Sequence, residues 1–137
     1  MKNITVKAKG CAKINLALHV TGVRADGYHV LDSIVIFTDI SDSLFIKKNE
    51  ENRLTFTGQF AKSLDVNKNS ILQALKLFEN VLTDRFSIKL EKNLPIGAGL
   101  GGGSADAAAI IRFITSYLSY PMPSHKVISK IGADVPA

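Results

Sequence analysis

The chain has 137 residues, of which 46% are apolar and 21% are charged, and its net charge is +5. That composition is typical of a globular domain with its own core, and it excludes a disordered chain. No apolar run approaches the roughly 18 residues that a membrane-spanning helix needs, and the scattered basic residues lack the dense patch that nucleic-acid binding requires. The single cysteine, Cys11, excludes an internal disulfide and suits a reducing compartment, so we expect a cytoplasmic protein.

The first half of the chain predicts β-strands. Residues 4–8 alternate between apolar and polar side chains, which is the period of a half-buried strand. Further strand candidates are residues 14–20, 33–38, 43–47 and 54–57. Asp26 and Gly27 predict a tight turn between the second and third of these strands, because an Asp-Gly pair favours the backbone angles of a turn.

The second half of the chain predicts helices. A first helix follows Asn69 and Ser70, either of which can cap it, and its apolar residues lie at helical spacing: Ile71, Leu75, Phe78 and Leu82. A strand at residues 86–90 leads into a run of glycines, and further helices are predicted at residues 105–117 and 124–131. Strands that precede helices without strict alternation indicate an α+β fold. The chain stops without a finished element, so we expect it to be part of a longer protein.

The strongest motif is a glycine-rich loop at residues 95–108. Five of the seven positions from Gly97 to Gly103 are glycine, and backbone amides without a neighbouring Cβ can approach a ligand closely. A predicted helix follows at once, and the free N–H groups and positive dipole end of a helix N-terminus favour an anion. Ser104 can cap this helix or place its hydroxyl on a phosphate or a magnesium ion. The alternative is a flexible glycine turn without a ligand.

Three familiar phosphate loops do not fit this stretch. A dinucleotide-binding loop needs an acidic residue about 20 positions further on, but no acidic residue lies between Asp106 and Asp134. A Walker A loop needs a lysine before its Ser or Thr, and this loop contains no lysine. A protein-kinase loop runs into a strand, whereas a helix is predicted here. The remaining interpretation is an anion-binding loop with a pattern of its own.

Residues 95–108, Pro-Ile-Gly-Ala-Gly-Leu-Gly-Gly-Gly-Ser-Ala-Asp-Ala-Ala, resemble the phosphate loop of the GHMP kinases. Residues 12–16, 24–29 and 132–136 resemble segments of the branch of that family that phosphorylates 4-diphosphocytidyl-2-C-methyl-D-erythritol on its 2-hydroxyl, in non-mevalonate isoprenoid synthesis. The resemblance implies an α+β fold like domain 2 of ribosomal protein S5, with a mixed or antiparallel sheet packed on helices. It also implies that residues 1–137 are the N-terminal ATP-binding domain of an enzyme about twice as long, whose C-terminal domain is absent.

The resemblance assigns roles to individual residues. Asp134 is the expected catalytic base and Lys13 the expected stabiliser of the transferred phosphate, with a turn aspartate and a solvent-facing strand lysine as the alternatives. Asn15, two residues from Lys13 on the same strand face, is expected to bind the substrate hydroxyl, and Tyr28 and His29 its cytidine. The expected ATP-binding residues are the loop residues Pro95, Gly97, Gly99, Leu100, Gly101, Gly102, Gly103, Ser104 and Ala105, together with Lys92 and Asn69.

The implied cofactors are ATP and Mg²⁺, and Ser104 is the one metal ligand that we assign. Two alternatives to the leading function stay open at this point. One is another GHMP enzyme, such as a homoserine or mevalonate-type kinase, and the other is a nucleotide-binding piece without turnover. Without a second domain, the chain is expected to expose apolar surface and to be prone to self-association.

Overall fold

The computed structural model describes residues 5–27, 29–64, 69–132 and 134–136, with the side chains of residues 17–19, 29–33 and 63 left undescribed. Four strands form one sheet in the order β1-β2-β4-β3. They are β1 (Thr5–Val23), β2 (His29–Asn49), β3 (Arg53–Thr57) and β4 (Arg85–Glu91). β1 with β2 and β2 with β4 are antiparallel, whereas β3 with β4 is parallel. The sheet is therefore mixed, and the α+β prediction is confirmed.

The first two strands are much longer than predicted. The sequence predicts separate strands at residues 4–8 and 14–20, but β1 is continuous from Thr5 to Val23, and residue 4 lies outside the described residues. β2 likewise joins residues 33–38 and 43–47. The pairing of β1 with β2 shifts register between Cys11 and Lys13, between Asn15 and Ala17, and again near Gly22. Such bulges absorb an extra residue without ending a strand, and they break the alternation that sequence reasoning follows.

The described part of the chain contains three α-helices: α1 (Ser70–Lys76), α2 (Gly102–Arg112) and α3 (His125–Ile128). α2 packs against β1 and β2, and α1 packs on α2. α1 ends earlier than predicted, because residues 77–82 form tight turns, as in the bond from Phe78 N–H to the Leu75 carbonyl. α2 begins three residues earlier than predicted, and after Arg112 the chain continues as a π-helix, Phe113–Tyr117. No helix in the described ranges is long and apolar enough to span a membrane.

One apolar core lies between the sheet and the two longer helices. It is built from alternate residues of β2 and β4, from the inner faces of α1 and α2, and from the π-helix that follows α2. Its chief members are Leu44, Ile46, Phe86, Ile88, Leu90, Ile71, Ala107, Ile110 and Ile114. The core fixes the C-terminal end of β4 directly beneath the start of α2. The glycine-rich segment connects these two elements, so its ends are held by the core.

The outer part of the β1–β2 ribbon extends beyond this core. Its described side chains include many exposed apolar residues: Leu16, Val20, Val23, Ile34, Phe37 and Ile40 are each at least 57% exposed. β2 pairs with β4 only over Ser43–Asn49. The part of β2 before Ser43 therefore has only β1 as its neighbour in the described sheet. The apolar surface expected from the sequence is therefore present.

Candidate nucleotide site

The glycine loop borders a cavity of about 430 Å³. Gly97, Gly99 and Gly101 have φ angles of +74°, +74° and +67°, a region that side chains with a Cβ rarely adopt. The cavity is lined by ten of the eleven predicted ATP-binding residues: Pro95, Gly97, Gly99, Leu100, Gly101, Gly102, Gly103, Ser104, Lys92 and Asn69. Ala105 lies instead on the adjoining cavity. The fold thus brings the loop, the end of β4 and the start of α1 to one place.

The N-terminus of α2 points donors towards this cavity. Gly101 is the N-cap and, as a glycine, has no side chain that could cap the helix. The N–H of Ala105 donates to the carbonyl of Gly101 at 2.9 Å. The first N–H groups of an α-helix have no partner inside the helix, and the helix dipole adds positive potential there. Ser104 is already inside the first turn, so the prediction that it caps the helix is wrong. The first residues of the helix, Gly102 and Gly103, line this cavity, and the N-terminal amides of a helix favour an anion.

The start of α1 forms part of the wall of the cavity, through Asn69 and Ser70. The Asn69 side chain accepts a hydrogen bond from the N–H of Ile71 at 2.8 Å, which confirms its predicted role as a helix cap. The neighbouring Ser70 hydroxyl donates to the carbonyl of Gly103 at 2.7 Å. That bond fixes the distance between the two helix starts, and it holds the backbone of the loop end from the side of α1.

Lys92, which was expected to contact ATP, is buried beneath the loop. Its ammonium lies 2.6 Å from Asp42 Oδ2 and 3.1 Å from Asp106 Oδ2, and the exposed fraction of all three side chains is at most 3%. Sequence reasoning missed both carboxylates. Glycine makes room for the cluster, because a Cβ at Gly102 would lie 3.1 Å from the Lys92 ammonium, and one at Gly10 would overlap Asp106 Oδ1.

The cluster contains two carboxylates and one ammonium. Burial raises the pKa of Asp106 to about 7, Lys92 opposes that rise, and the Asp42 carboxylate adds to it. Burial alone would lower the pKa of Lys92, but its attraction to the two carboxylates raises that pKa above the ordinary value. Asp106 Oδ1 has no hydrogen-bond partner among the described atoms. Lys92 is therefore a permanent cation behind the first turn of α2.

Lys13 and Asp134 meet on the other side of the loop, although 121 positions separate them in sequence. Lys13 Nζ lies 2.5 Å from Asp134 Oδ1, and the N–H of Lys13 donates to the Leu100 carbonyl at 2.9 Å. A Cβ built at Gly101 would be 3.8 Å from Lys13 Cβ and 3.9 Å from Asp134 Oδ2. The ion pair therefore lies against the loop, and Lys13 is not the solvent-facing strand lysine of the alternative interpretation.

This ion pair borders a second cavity of about 220 Å³. Ser104 lines both cavities, and Phe37, Cys11 and Arg112 line only the second of those two. Sequence reasoning did not assign Arg112 to a site. Two cations, a carboxylate and an aromatic ring around one cavity form a chemically mixed surface that a polar, charged organic molecule could fill.

The structure does not test all the predicted substrate residues. Asn15 is exposed on β1, in the regularly paired stretch that also holds Lys13, so the two share a strand face. Tyr28 lies outside the described residues, and only the backbone of His29, at the start of β2, is described. No cluster of His, Cys, Asp and Glu able to hold a metal is present in the described part of the chain. Ser104 remains the one predicted magnesium ligand.

Fold and site together define an α+β domain with a glycine-rich loop between a strand and a helix, next to a lysine–aspartate pair. The GHMP kinases N terminal domain matches residues 69–137, which is half of the chain. The chain therefore belongs to the GHMP kinase family.

The 4-diphosphocytidyl-2-C-methyl-D-erythritol kinase of Cereibacter sphaeroides is 44% identical over 126 residues, which cover 91% of this chain and 44% of that protein. The enzyme of the same name from Rhizobium leguminosarum bv. trifolii is 44% identical over 133 residues, covering 91% and 45%. A crystal structure of 4-(cytidine 5'-diphospho)-2C-methyl-D-erythritol kinase superposes with a TM-score of 0.71 at 32% identity, over 96% of this chain and 47% of that one. The homoserine kinase of Cytophaga hutchinsonii, at 21% identity and a TM-score of 0.64, shares the fold. The chain spans less than half the length of these curated relatives.

Proposed function

We propose that this chain is the ATP-binding part of an enzyme that transfers the γ-phosphoryl group of ATP to the 2-hydroxyl of 4-diphosphocytidyl-2-C-methyl-D-erythritol. The observation that carries the proposal is the position of the Lys13–Asp134 pair directly beside Gly101. A phosphate held by the loop amides and the α2 N-terminus would lie next to both side chains. Phosphoryl transfer needs this arrangement of an anion cradle and a group that accepts the hydroxyl proton.

In this proposal Asp134 is the base. Its carboxylate is half exposed, so an alcohol can approach it from the second cavity, and Lys13 fixes its position through the ion pair. The proton of the 2-hydroxyl would pass to Asp134 as the hydroxyl oxygen attacks the γ-phosphorus and ADP leaves. The ammonium of Lys13 supplies positive charge where negative charge develops on the transferred group.

ATP would occupy the larger cavity, with its phosphates against the loop and its base towards Asn69 and the start of α1. Magnesium bound to the phosphates would neutralise their charge, and the Ser104 hydroxyl, which lines both cavities, is the protein group that we assign to it. Most of the remaining ligands of such an ion would be phosphate oxygens and water.

The acceptor would enter over the second cavity, with Asn15 beside Lys13 near the reacting hydroxyl. The identity with the two kinases quoted above favours the diphosphocytidyl acceptor over homoserine or mevalonate. We assign Tyr28 and His29 to its cytidine. The protein is expected to act in the cytoplasm on a small molecule, without nucleic-acid or membrane partners.

A single-turnover assay tests the proposal, with the chain in excess over γ-labelled ATP and with the three candidate alcohols offered in turn. We expect label to reach the diphosphocytidyl alcohol and Asp134→Asn to abolish transfer while the dissociation constant for MgATP changes by less than about threefold. Transfer to mevalonate or homoserine instead would overturn the substrate assignment. Loss of ATP affinity in Asp134→Asn would overturn its role as base.

The chain by itself is expected to show little steady-state turnover, well below the roughly 1–100 per second of ordinary kinases. Two observations favour low turnover by the chain alone. The matched relatives are more than twice as long as this chain, and the β1–β2 ribbon exposes a row of apolar side chains. A steady-state rate within the ordinary range would show that residues 1–137 suffice.

A further inference from the structure

Asp42 occupies the point where β4 leaves the sheet for the glycine loop. The last residue pair between β2 and β4 is Ser43 with Glu91. Beyond that pair, Asp42 Oδ1 accepts hydrogen bonds from the N–H groups of Asn93 at 2.7 Å and Leu94 at 2.8 Å. One carboxylate oxygen thus replaces the strand partner that these two amides have lost, just before Pro95.

The second oxygen of the same carboxylate binds Lys92, which links it to the other end of the loop. Asp42 Oδ2 accepts from the Lys92 ammonium at 2.6 Å, and that ammonium lies 3.1 Å from Asp106 Oδ2 on α2. Asp42 is 0% exposed, so water does not compete for these bonds. Charge-assisted hydrogen bonds in a buried place are stronger than neutral ones at the surface. The loop therefore begins on amides that Asp42 holds directly, and it ends on a helix that Asp42 reaches through Lys92.

We propose that Asp42 is a positioning residue for the nucleotide: by fixing residues 92–94 and, through Lys92, the start of α2, it sets the loop amides in their phosphate-binding arrangement before the ligand arrives. This inference rests on the proposed function, because it takes the ligand to be ATP. Asp42 itself touches no ligand in this account. It acts through the backbone of Asn93 and Leu94 and through Lys92.

Two substitutions separate the bonds of Asp42 to the two backbone amides from its bond to Lys92. Asp42→Asn keeps an oxygen that can accept from the two amides but turns an NH₂ group towards Lys92, whereas Asp42→Ala removes both sets of bonds. A displacement of about 1 Å in the groups that position a substrate can cost about 100-fold in reaction rate, and we apply the same scale to MgATP binding. We therefore expect the dissociation constant for MgATP to rise about three- to tenfold in Asp42→Asn and about 30- to 100-fold in Asp42→Ala. Asp39→Asn, on the same strand and exposed, is the matched control and should match the wild type.

Calorimetric titration with MgATP, well below the unfolding midpoint of each variant, measures these constants. A purely structural role would lower the midpoint and leave the affinity of the folded protein unchanged. Dissociation constants of Asp42→Asn and Asp42→Ala within twofold of the wild type would therefore overturn the inference. If the wild type itself binds no MgATP, the proposed function fails instead.

Hydrogen exchange on the wild-type protein provides a measurement that needs no folded variant. Amides already held by Asp42 should exchange slowly without nucleotide, at least about tenfold slower than unpaired loop amides, and MgATP should change them little. We expect this for Asn93 and Leu94. Fast exchange of both amides without MgATP, followed by protection on binding, would show that the ligand orders the loop and would overturn the inference even if neither Asp42 variant folds.

Discussion

Gly10 allows β1 to pass directly against α2, and replacing it by alanine should separate the two elements. A Cβ at Gly10 would overlap Asp106 Oδ1 and would lie 3.0 Å from the Asp106 nitrogen and 3.1 Å from the Ala105 carbonyl carbon. Two of these three atoms are backbone, so they cannot turn away as the end of a flexible side chain can. Gly10 does not have a positive φ, so the expected cost is steric and does not come from backbone strain.

The expected size of this effect follows from the packing. Extra atoms forced into a well-packed interior typically cost about 1–3 kcal/mol, and contact with helix backbone places Gly10→Ala near the upper end, at about 2–3 kcal/mol. Gly22→Ala is the matched control on the same strand, because a Cβ there meets nothing within 4 Å. Relative to glycine, alanine should stabilise that site by up to about 1 kcal/mol.

Urea denaturation monitored by circular dichroism measures the unfolding free energy of both variants. Gly10→Ala should also weaken MgATP binding, because a displaced α2 moves the amides of Gly102 and Gly103. Equal unfolding free energies for Gly10→Ala and Gly22→Ala would refute the steric argument. A destabilised Gly10→Ala with unchanged MgATP affinity would refute the coupling between α2 position and the loop.

Two further predictions concern the walls of the larger cavity. The pKa of Asp106 is raised from 3.8 to about 7, so the folded chain keeps a proton on this carboxyl that the unfolded chain loses above about pH 4. The unfolding free energy should therefore fall progressively as the pH rises from about 4 to 7. Asp106→Asn should remove this pH dependence, so the unfolding free energy of the variant should rise relative to that of the wild type between pH 5 and pH 8. Parallel plots of unfolding free energy against pH for the two proteins would contradict the raised pKa of Asp106. Asn69→Ala should cost about 1 kcal/mol in urea denaturation because the cap bond to Ile71 is lost, and an unchanged midpoint would show that the bond contributes nothing.

The sequence contained more of the site than motif reasoning extracted. In β4, Phe86, Ile88 and Leu90 are buried, and the same alternation carried one step further places Lys92 on the buried face. In β2, Leu44 and Ile46 are buried, and the same alternation carried two residues back reaches Asp42. Two opposite charges on facing strands, both on the core side, are a signal for a buried ion pair. The motifs predicted Lys92 only as an ATP contact just before the loop, and they gave no role to Asp42.

Other features could not be predicted from the sequence in the same way. The length of β1 depends on bulges that only the paired strand defines, so alternation ended the strand too early. The start of α2 at Gly102 depends on Gly101 in a left-handed conformation as N-cap, whereas helix propensity alone argues against two glycines in a first turn. The contact of Lys13 with Asp134 joins the two ends of the chain, and local patterns contain no information about it.

The most direct test of the account compares two substitutions at Gly99. Its φ of +74° is one that Asn and Asp tolerate better than other residues, and a Cβ there meets nothing within 4 Å, so both variants should fold. They are matched in size and differ in charge. If the loop binds the phosphates of ATP, the chain binds MgATP, Gly99→Asn binds it somewhat less well, and Gly99→Asp binds at least about tenfold more weakly than Gly99→Asn because its carboxylate repels the ligand. Equal affinities of the two variants, or a folded wild-type chain that does not bind MgATP, would contradict the central claim.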